Sequence, residues 1–491
     1  MSGGKVLLIT PPYHTGILES AGGWLNLGFA YMAGQLRKAG FTPVYYDAMT
    51  KMDTLDEIKV RISQETPDYI ATTAYTSSIN AALEVLQAAK EIDPTIVTII
   101  GGVHAHFMYE EVLRAEPGLG TVDFVIRGEG EETLVELIEI LETSDTARPV
   151  QLERVSGLAY IAGGELIVTP PRPLIADLDT LSPAWDLLEW DLYTFYPMPG
   201  STLAIINTSR GCLHSCTFCS QQKFWQQSYR QRSAEAVVEE MIMLKTKYGV
   251  DVFMFSDEYP TYDGERWEKI LDMLIQRQLG VHILMETRVN DILRDRDILW
   301  KYKEAGILHI YVGVEATTQE TLDVFKKDVS CQNCQEAIQL INDNGMISEC
   351  SFILGLPDET PVSIAQTLQL AKYYNPDLPH FLHLAVWPYA DNYNELKEFV
   401  ITRDYAKYNF INPVIKPVAM TEEEIRKALI DCYQDFYMDK VKEYLELKDD
   451  FKRNYLLKSL KLMMEKSFLR EYIAGSGPIP ESIQELIREA G

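Results

Sequence analysis

The sequence predicts an α/β protein. A doubly wound parallel sheet covers residues 1–145, a connecting segment 146–200, a partial (β/α)6 barrel 201–398 and a helical region 399–491. Three observations carry this reading. Strand-like and helix-like stretches alternate from residue 5 to about 142; the alternation resumes at 203 through six strand candidates; beyond about 400 the apolar pattern turns helical. Strands that alternate with helices make parallel sheets with helical crossovers.

In the first part "KVLLIT" reads as a buried strand, and Leu25, Phe29, Met32, Leu36 and Ala39 mark one helical face that stops at Gly40. "YIATTA" is a strand, followed by a helix with Ile79, Leu83, Leu86 and Ala89 on one side. "TIVTIIGG" and "VDFVI" are further strands, and Leu134, Leu137, Ile138 and Leu141 stripe the closing helix. The result is Rossmann-like, with ligands expected beyond the carboxyl ends of its strands, where "TPPYHTG", "AYTSS", "GGVHAH" and "RGEGEE" lie. The proline-rich connecting segment holds a possible hairpin at "GLAYIAGGELIV".

The barrel strands are "LAIINT", "VDVFMF", "VHILMET", "LHIYVGV", "SECSFIL" and "HFLHLAV". Chemistry on such a barrel gathers at the carboxyl ends of the strands. The last part offers amphipathic helices at 421–445 and 451–470.

With 45 basic against 72 acidic residues, the chain carries a net charge of −27. Such a surface repels phosphate backbones and anionic lipid, so nucleic acid and membrane surfaces are excluded as expected partners. No apolar run approaches a membrane span or a signal sequence. Seven cysteines make no disulfide framework, which points to a reduced, cytoplasmic enzyme.

Three of the seven, Cys212, Cys216 and Cys219, crowd the loop after the first barrel strand. A Cys-x3-Cys-x2-Cys spacing lacks the fourth ligand that zinc pairs supply. Iron–sulfur clusters normally take four thiolates, so three leave one iron open to a small molecule.

This triad, with Phe218 before the third cysteine, resembles the signature of radical S-adenosylmethionine enzymes. The resemblance implies a [4Fe-4S] cluster whose open iron is chelated by S-adenosyl-L-methionine. It also implies that Asp257 and Glu258 of "FSDEYPT" accept the methionine ammonium, and that Glu286 and Arg288 of "METRVND" line the site. Gly313 and Glu315 of "YVGVEATT" and Gly355 of "FILGLPDET" would approach the ribose, methionine and adenine.

The first part resembles the cobalamin-binding domains that precede some of these barrels. Gly101 and Gly102 would admit the corrin tail, with Ser77, Ser78 and His104 beside it. The usual Asp-x-His-x-x-Gly motif is absent, since position 12 is proline and glycine follows His14 too early. Either His14 still reaches the cobalt or its lower face is open.

"YHTGILESAGGW", "GGVHAHFMYEEVL", "VIRGEGEET" and "RDYAKYNFINPVIKP" are similar to the anaerobic oxidative cyclases of bacteriochlorophyll synthesis. That similarity implies a porphyrin substrate, a reducing donor of flavodoxin or ferredoxin type, and oxygen drawn from water. A cobalamin-dependent methyltransferase and a non-catalytic cobalamin sensor are the alternatives. Tyr405, Tyr408, Phe410, Tyr433, Phe436 and Tyr437 offer an apolar slot for a flat macrocycle. His380 and His383 have opposite strand parity, so at most one faces inward. Cys331, Cys334, Cys350 and Cys432 receive no role.

Overall fold

The structure, a computed structural model, describes residues 3–16, 20–114, 120–143 and 151–470. The described residues form two compact units. One comes from 1–14, 25–192 and 223–226, the other from 15–24, 193–222 and 227–491.

In the first unit β1 (Lys5–Ile9), β2 (Thr42–Tyr46), β3 (Tyr69–Thr73), β4 (Val97–Gly101) and β5 (Phe124–Ile126) are parallel. A hairpin of β6 (Leu158–Ala162) and β7 (Glu165–Val168) extends the sheet antiparallel, giving the order β2-β1-β3-β4-β5-β6-β7. Val6 to Ile9 are fully buried, as an unbroken apolar run in a sheet covered on both faces requires. The helix Leu27–Lys38 starts where Asn26 accepts from the Phe29 amide. Gly40, at φ +91°, turns the chain back toward the sheet.

Two features depart from the sequence expectation. β2 goes unmarked by the apolar pattern because Pro43 interrupts it, yet β2 is an edge strand, where a missing amide hydrogen costs no ladder bond. The segment expected to connect the two α/β parts instead packs, to Leu192, with the first unit. Its hairpin covers the edge that β5 would otherwise leave open.

The second unit carries β8 (Leu203–Ile206), the two-residue ribbon strands β9 (Ser209–Arg210) and β10 (Arg230–Gln231), and then β11 (Val252–Phe255) and β12 (His282–Arg288). After them come β13 (Ile307–Gly313), β14 (Ile347–Leu354) and β15 (Leu378–His383). The six long strands pair in parallel in the order β15-β14-β13-β12-β11-β8, an open barrel at the six predicted positions.

The helices Glu422–Glu446 and Asp450–Lys466 pack into this same unit. The first of them covers β15: Tyr437 donates to the Pro379 carbonyl at 3.1 Å, and Tyr433 meets Phe381 edge-on at 5.6 Å. Among the described residues no helix is long and apolar enough to cross a membrane.

Candidate active site

The cysteine loop is tied down at both ends. β9 and β10 pair antiparallel and close the loop that runs between them. Asp257, at the end of β11, takes the Thr208 amide at 2.9 Å, the Thr208 hydroxyl at 2.8 Å and the Ser209 hydroxyl at 2.5 Å. Glu258 accepts from the Gly211 amide at 3.1 Å. On the far side Thr217 donates to the carbonyls of Phe325 and Val324 at 3.0 and 3.1 Å. Phe218 meets Phe325 edge-on at 4.9 Å.

Asp257 therefore corrects one expectation. It is 1% exposed and already saturated by Thr208 and Ser209, so it braces the loop and leaves no room for a ligand ammonium. Glu258, only half-buried, keeps the candidate role.

Burial pushes the Cys219 thiol up to about 11 and also raises Cys212, while the Arg288 charge acts to lower the latter. Arg288 lies 4.0 Å from the Cys216 sulfur and donates to the Lys327 carbonyl at 2.7 Å. Among the described residues no three metal-binding side chains converge on a single ion, the loop thiols included. A triad of this kind suits a polynuclear cluster, in which each thiolate binds a different iron.

Glu315 sits in the left-handed region at φ +66°, its carboxylate 2.7 Å from Lys327 Nζ and 3.1 Å from the Ser351 hydroxyl. A Cβ on Gly313 would lie 2.5 Å from that same Nζ, so glycine makes room for the ion pair. Lys327 escaped the sequence reading because its partner lies twelve residues away, beyond a helix; a lysine after a barrel loop was the available signal. Gly355, at φ +99°, leaves its Cβ direction almost open, with His383 Nδ1 the nearest atom at 3.9 Å. The Gly355 and Leu356 amides both donate to Glu359, which burial raises to about 7.

Below the loop lies a cavity of about 470 Å³ inside the barrel, lined among others by Trp24, Phe195, Leu284, Glu286, Tyr311 and Tyr455. Glu349 also borders it, clamped between His309 Nε2 at 2.6 Å and His380 Nε2. Burial would raise Glu349, but the charges and hydrogen bonds of the two imidazoles outweigh it and hold the carboxyl well below its usual range.

His380 thus faces the cavity, and His383 is buried elsewhere, its ring held near pKa 3 by burial and then by Arg426. Of the six C-terminal aromatics only Phe410 lines the space; the others pack in the core or against it. Cys331 donates to the Thr317 carbonyl at 3.3 Å, and Cys334 is buried in the same helix.

In the first unit the corrin-tail candidates sit at the carboxyl ends of β1, β3 and β4. Ser77 and Ser78 form a single 3-10 turn, where Ser78 accepts from the Tyr75 amide at 3.1 Å. Gly102 needs φ +89°, and a Cβ there would lie 2.5 Å from Thr73 Oγ1. Gly101 closes β4, and half-buried His14 follows β1. His104 does not match its expected role: it is 1% exposed, 3.0 Å from Thr76 Oγ1, and lowered to about 4 by burial. It joins two loops as a core histidine, because the turn at Gly102 folds it beneath the strand ends.

Two family profiles match, "B12 binding domain" over residues 13–138 and "Radical SAM superfamily" over 206–371. The anaerobic magnesium-protoporphyrin IX monomethyl ester cyclase of Rubrivivax gelatinosus is 38% identical over 471 residues, 95% of this chain and 84% of that protein. The chain belongs to the B12-binding radical S-adenosylmethionine enzymes, the family of that cyclase. Within this family an uncharacterised methyltransferase of Pyrococcus horikoshii is 31% identical, covering 88% of this chain and 92% of that one. The radical S-adenosylmethionine methyltransferase TsrM from Kitasatospora setae, solved with cobalamin and a [4Fe-4S] cluster bound, shares the family fold. Its TM-score is 0.69 at 16% identity, covering 99% of each chain.

Proposed function

We propose that this enzyme is an anaerobic oxidative cyclase that forms the isocyclic fifth ring of bacteriochlorophyll on magnesium-protoporphyrin IX 13-monomethyl ester, with oxygen from water. The single observation that carries this is identity of 38% with a cyclase along 95% of the chain. The cluster, S-adenosyl-L-methionine and cobalamin, when bound, supply radical formation and one-electron chemistry.

The chain's own residues do the positioning. Cys212, Cys216 and Cys219 hold the cluster on a loop braced by Asp257, with Arg288 against the Cys216 sulfur. Phe218 packs the loop from behind. Glu258 receives the methionine ammonium, while Gly313 and the Glu315–Lys327 pair border the ribose side and Gly355 the adenine. Gly101, Gly102, Ser77, Ser78 and His14 border the corrinoid. The barrel cavity takes the reacting side chain of the porphyrin, its apolar walls excluding bulk water.

The same reading places the protein in the cytoplasm, reduced by a flavodoxin or ferredoxin and without a nucleic-acid partner, in keeping with a net charge of −27. The second reading, a methyltransferase on another substrate, is favoured by the relative from Pyrococcus horikoshii. Anaerobic incubation with the magnesium-porphyrin ester, methyl-labelled S-adenosylmethionine and 18O-water decides between them. A ring-closed product carrying the heavy oxygen and no methyl label supports the cyclase; label in the organic product overturns it.

A further inference from the structure

Glu286 is the one acid of the barrel interior whose carboxyl the structure leaves without a hydrogen bond among the described residues. Asp257 is saturated by Thr208 and Ser209, Glu315 is paired with Lys327, and Glu349 is clamped by two imidazoles. Glu286 instead projects into the cavity, exposed to that space while protein surrounds it.

Its position follows from strand register. Glu286 pairs with Tyr311, and Tyr311 with Glu349, so the two acids flank one tyrosine on a single level of the barrel. Arg288 is two residues on, on the same face, one step of roughly 6–7 Å nearer the strand ends. That guanidinium lies 4.0 Å from the Cys216 sulfur. Glu286 thus faces the cavity one strand step below Arg288.

An unpaired carboxyl in a largely apolar cavity is costly unless a ligand or a proton satisfies it. Glu258, Glu349 and Glu315 repel its charge and Lys327 opposes them, while Tyr311, Tyr455, His309 and His380 line the same cavity and Arg288 stands two residues on. Burial first, then those three acids, push the carboxyl up to about 7, where it can accept and release a proton near neutrality.

We propose that Glu286 is a catalytic base that takes the proton released when water adds to the oxidised carbon of the substrate side chain. The assignment rests on the cyclase reading. On that reading the bound cofactors would supply both oxidants: the side-chain carbon would give its hydrogen atom to a 5′-deoxyadenosyl radical, forming 5′-deoxyadenosine, and an electron to a one-electron oxidant of the corrinoid class. Water oxygen bonds to the resulting cationic carbon and one O–H bond of that water breaks. The electron pair stays on oxygen to give an alcohol, and the proton passes to the Glu286 carboxylate. The acidic lining also disfavours an anionic side chain in the cavity, which suits an ester there and not a free propionate.

The test compares full-length wild type with Glu286→Gln and Glu286→Asp, each reconstituted anaerobically and given magnesium-protoporphyrin IX monomethyl ester. In Glu286→Gln, 5′-deoxyadenosine should form within about threefold of wild type while oxygenated product falls about 100-fold or more. The dissociation constant for S-adenosylmethionine should not move, and Glu286→Asp should recover part of the product. Because the glutamine is isosteric and relieves repulsion, its melting temperature at pH 8 should not fall below wild type.

Product within about threefold of wild type in Glu286→Gln overturns the assignment. So does weakened S-adenosylmethionine binding, which would make Glu286 a cofactor ligand. So does a parallel loss of 5′-deoxyadenosine with binding intact, which would make it a substrate-positioning group. A wild-type enzyme inert toward the ester overturns the cyclase reading itself, and this assignment with it.

Discussion

Lys327 and Glu315 form a buried ion pair, 2.7 Å apart, in which the glutamate occupies a left-handed backbone conformation. The pair stands at the carboxyl end of β13, and the Lys327 carbonyl holds Arg288 beside the cysteine loop. Backbone strain at Glu315 persists because Lys327, Ser351 and the bridge to β14 together over-determine it.

Removing one partner should therefore cost more than removing both. Lys327→Met leaves a buried carboxylate uncompensated and should destabilise the apoprotein by about 3–5 kcal/mol. Adding Glu315→Gln to it should restore part of that loss. Urea unfolding of the two single variants and the double variant measures the coupling; additive losses would show that the pair contributes nothing together.

Gly102 poses a backbone question. Its φ of +89° and the 2.5 Å approach of a Cβ to Thr73 Oγ1 leave no place for a side chain between β3 and β4. Gly102→Ala should destabilise the first unit by about 1–3 kcal/mol and displace the loops proposed to border the corrinoid. The expected result is a corrinoid absorbance titration shifted to weaker binding, with cluster absorbance unchanged.

The barrel was legible because each of its strands is an apolar run of ordinary length, and the cysteine cluster stood out as a candidate because its spacing has few other uses. The surroundings of the acids were not legible. Asp257 and Glu258 are adjacent and alike in charge, yet one closes on Thr208 and the other reaches Gly211, a difference set by the turn after β11. The His309–Glu349–His380 clamp joins three strands some 30 to 40 residues apart and needs the register of β13, β14 and β15 to be seen. His104 looked available because it follows a glycine pair at a strand end; only the packing shows it turned inward.

Acid pH should weaken the fold through buried neutral histidines. Burial lowers His104 to about 4, and burial followed by Arg426 lowers His383 to about 3. In the unfolded chain each returns to about 6.5. The unfolded state therefore binds the extra proton first, so stability is fully present above about pH 6.5 and falls as pH drops toward the folded values. Each such histidine contributes a slope of about 1.4 kcal/mol per pH unit. His383→Leu should flatten the decline between pH 6.5 and 5 by about that slope. Unfolding curves at several pH values give the comparison, and an unchanged slope would show that His383 is charged in the native state.

The cysteine loop itself makes the sharpest prediction about assembly. Burial raises the Cys212 thiol and pushes Cys219 up to about 11, so these two thiols are largely protonated in the apoprotein at neutral pH despite Arg288 nearby. Only thiolate reacts, so alkylation of Cys219 in the apoprotein should climb roughly tenfold per pH unit between 7 and 10. Cluster insertion must displace the remaining protons, and proton release measured in weakly buffered solution should accompany it. Cys216→Ala should then abolish the broad visible absorbance of the reconstituted cluster and leave corrinoid binding in the first unit intact. A Cys216→Ala protein that keeps the absorbance would remove Cys216 from the ligand set and, with it, the three-thiolate centre.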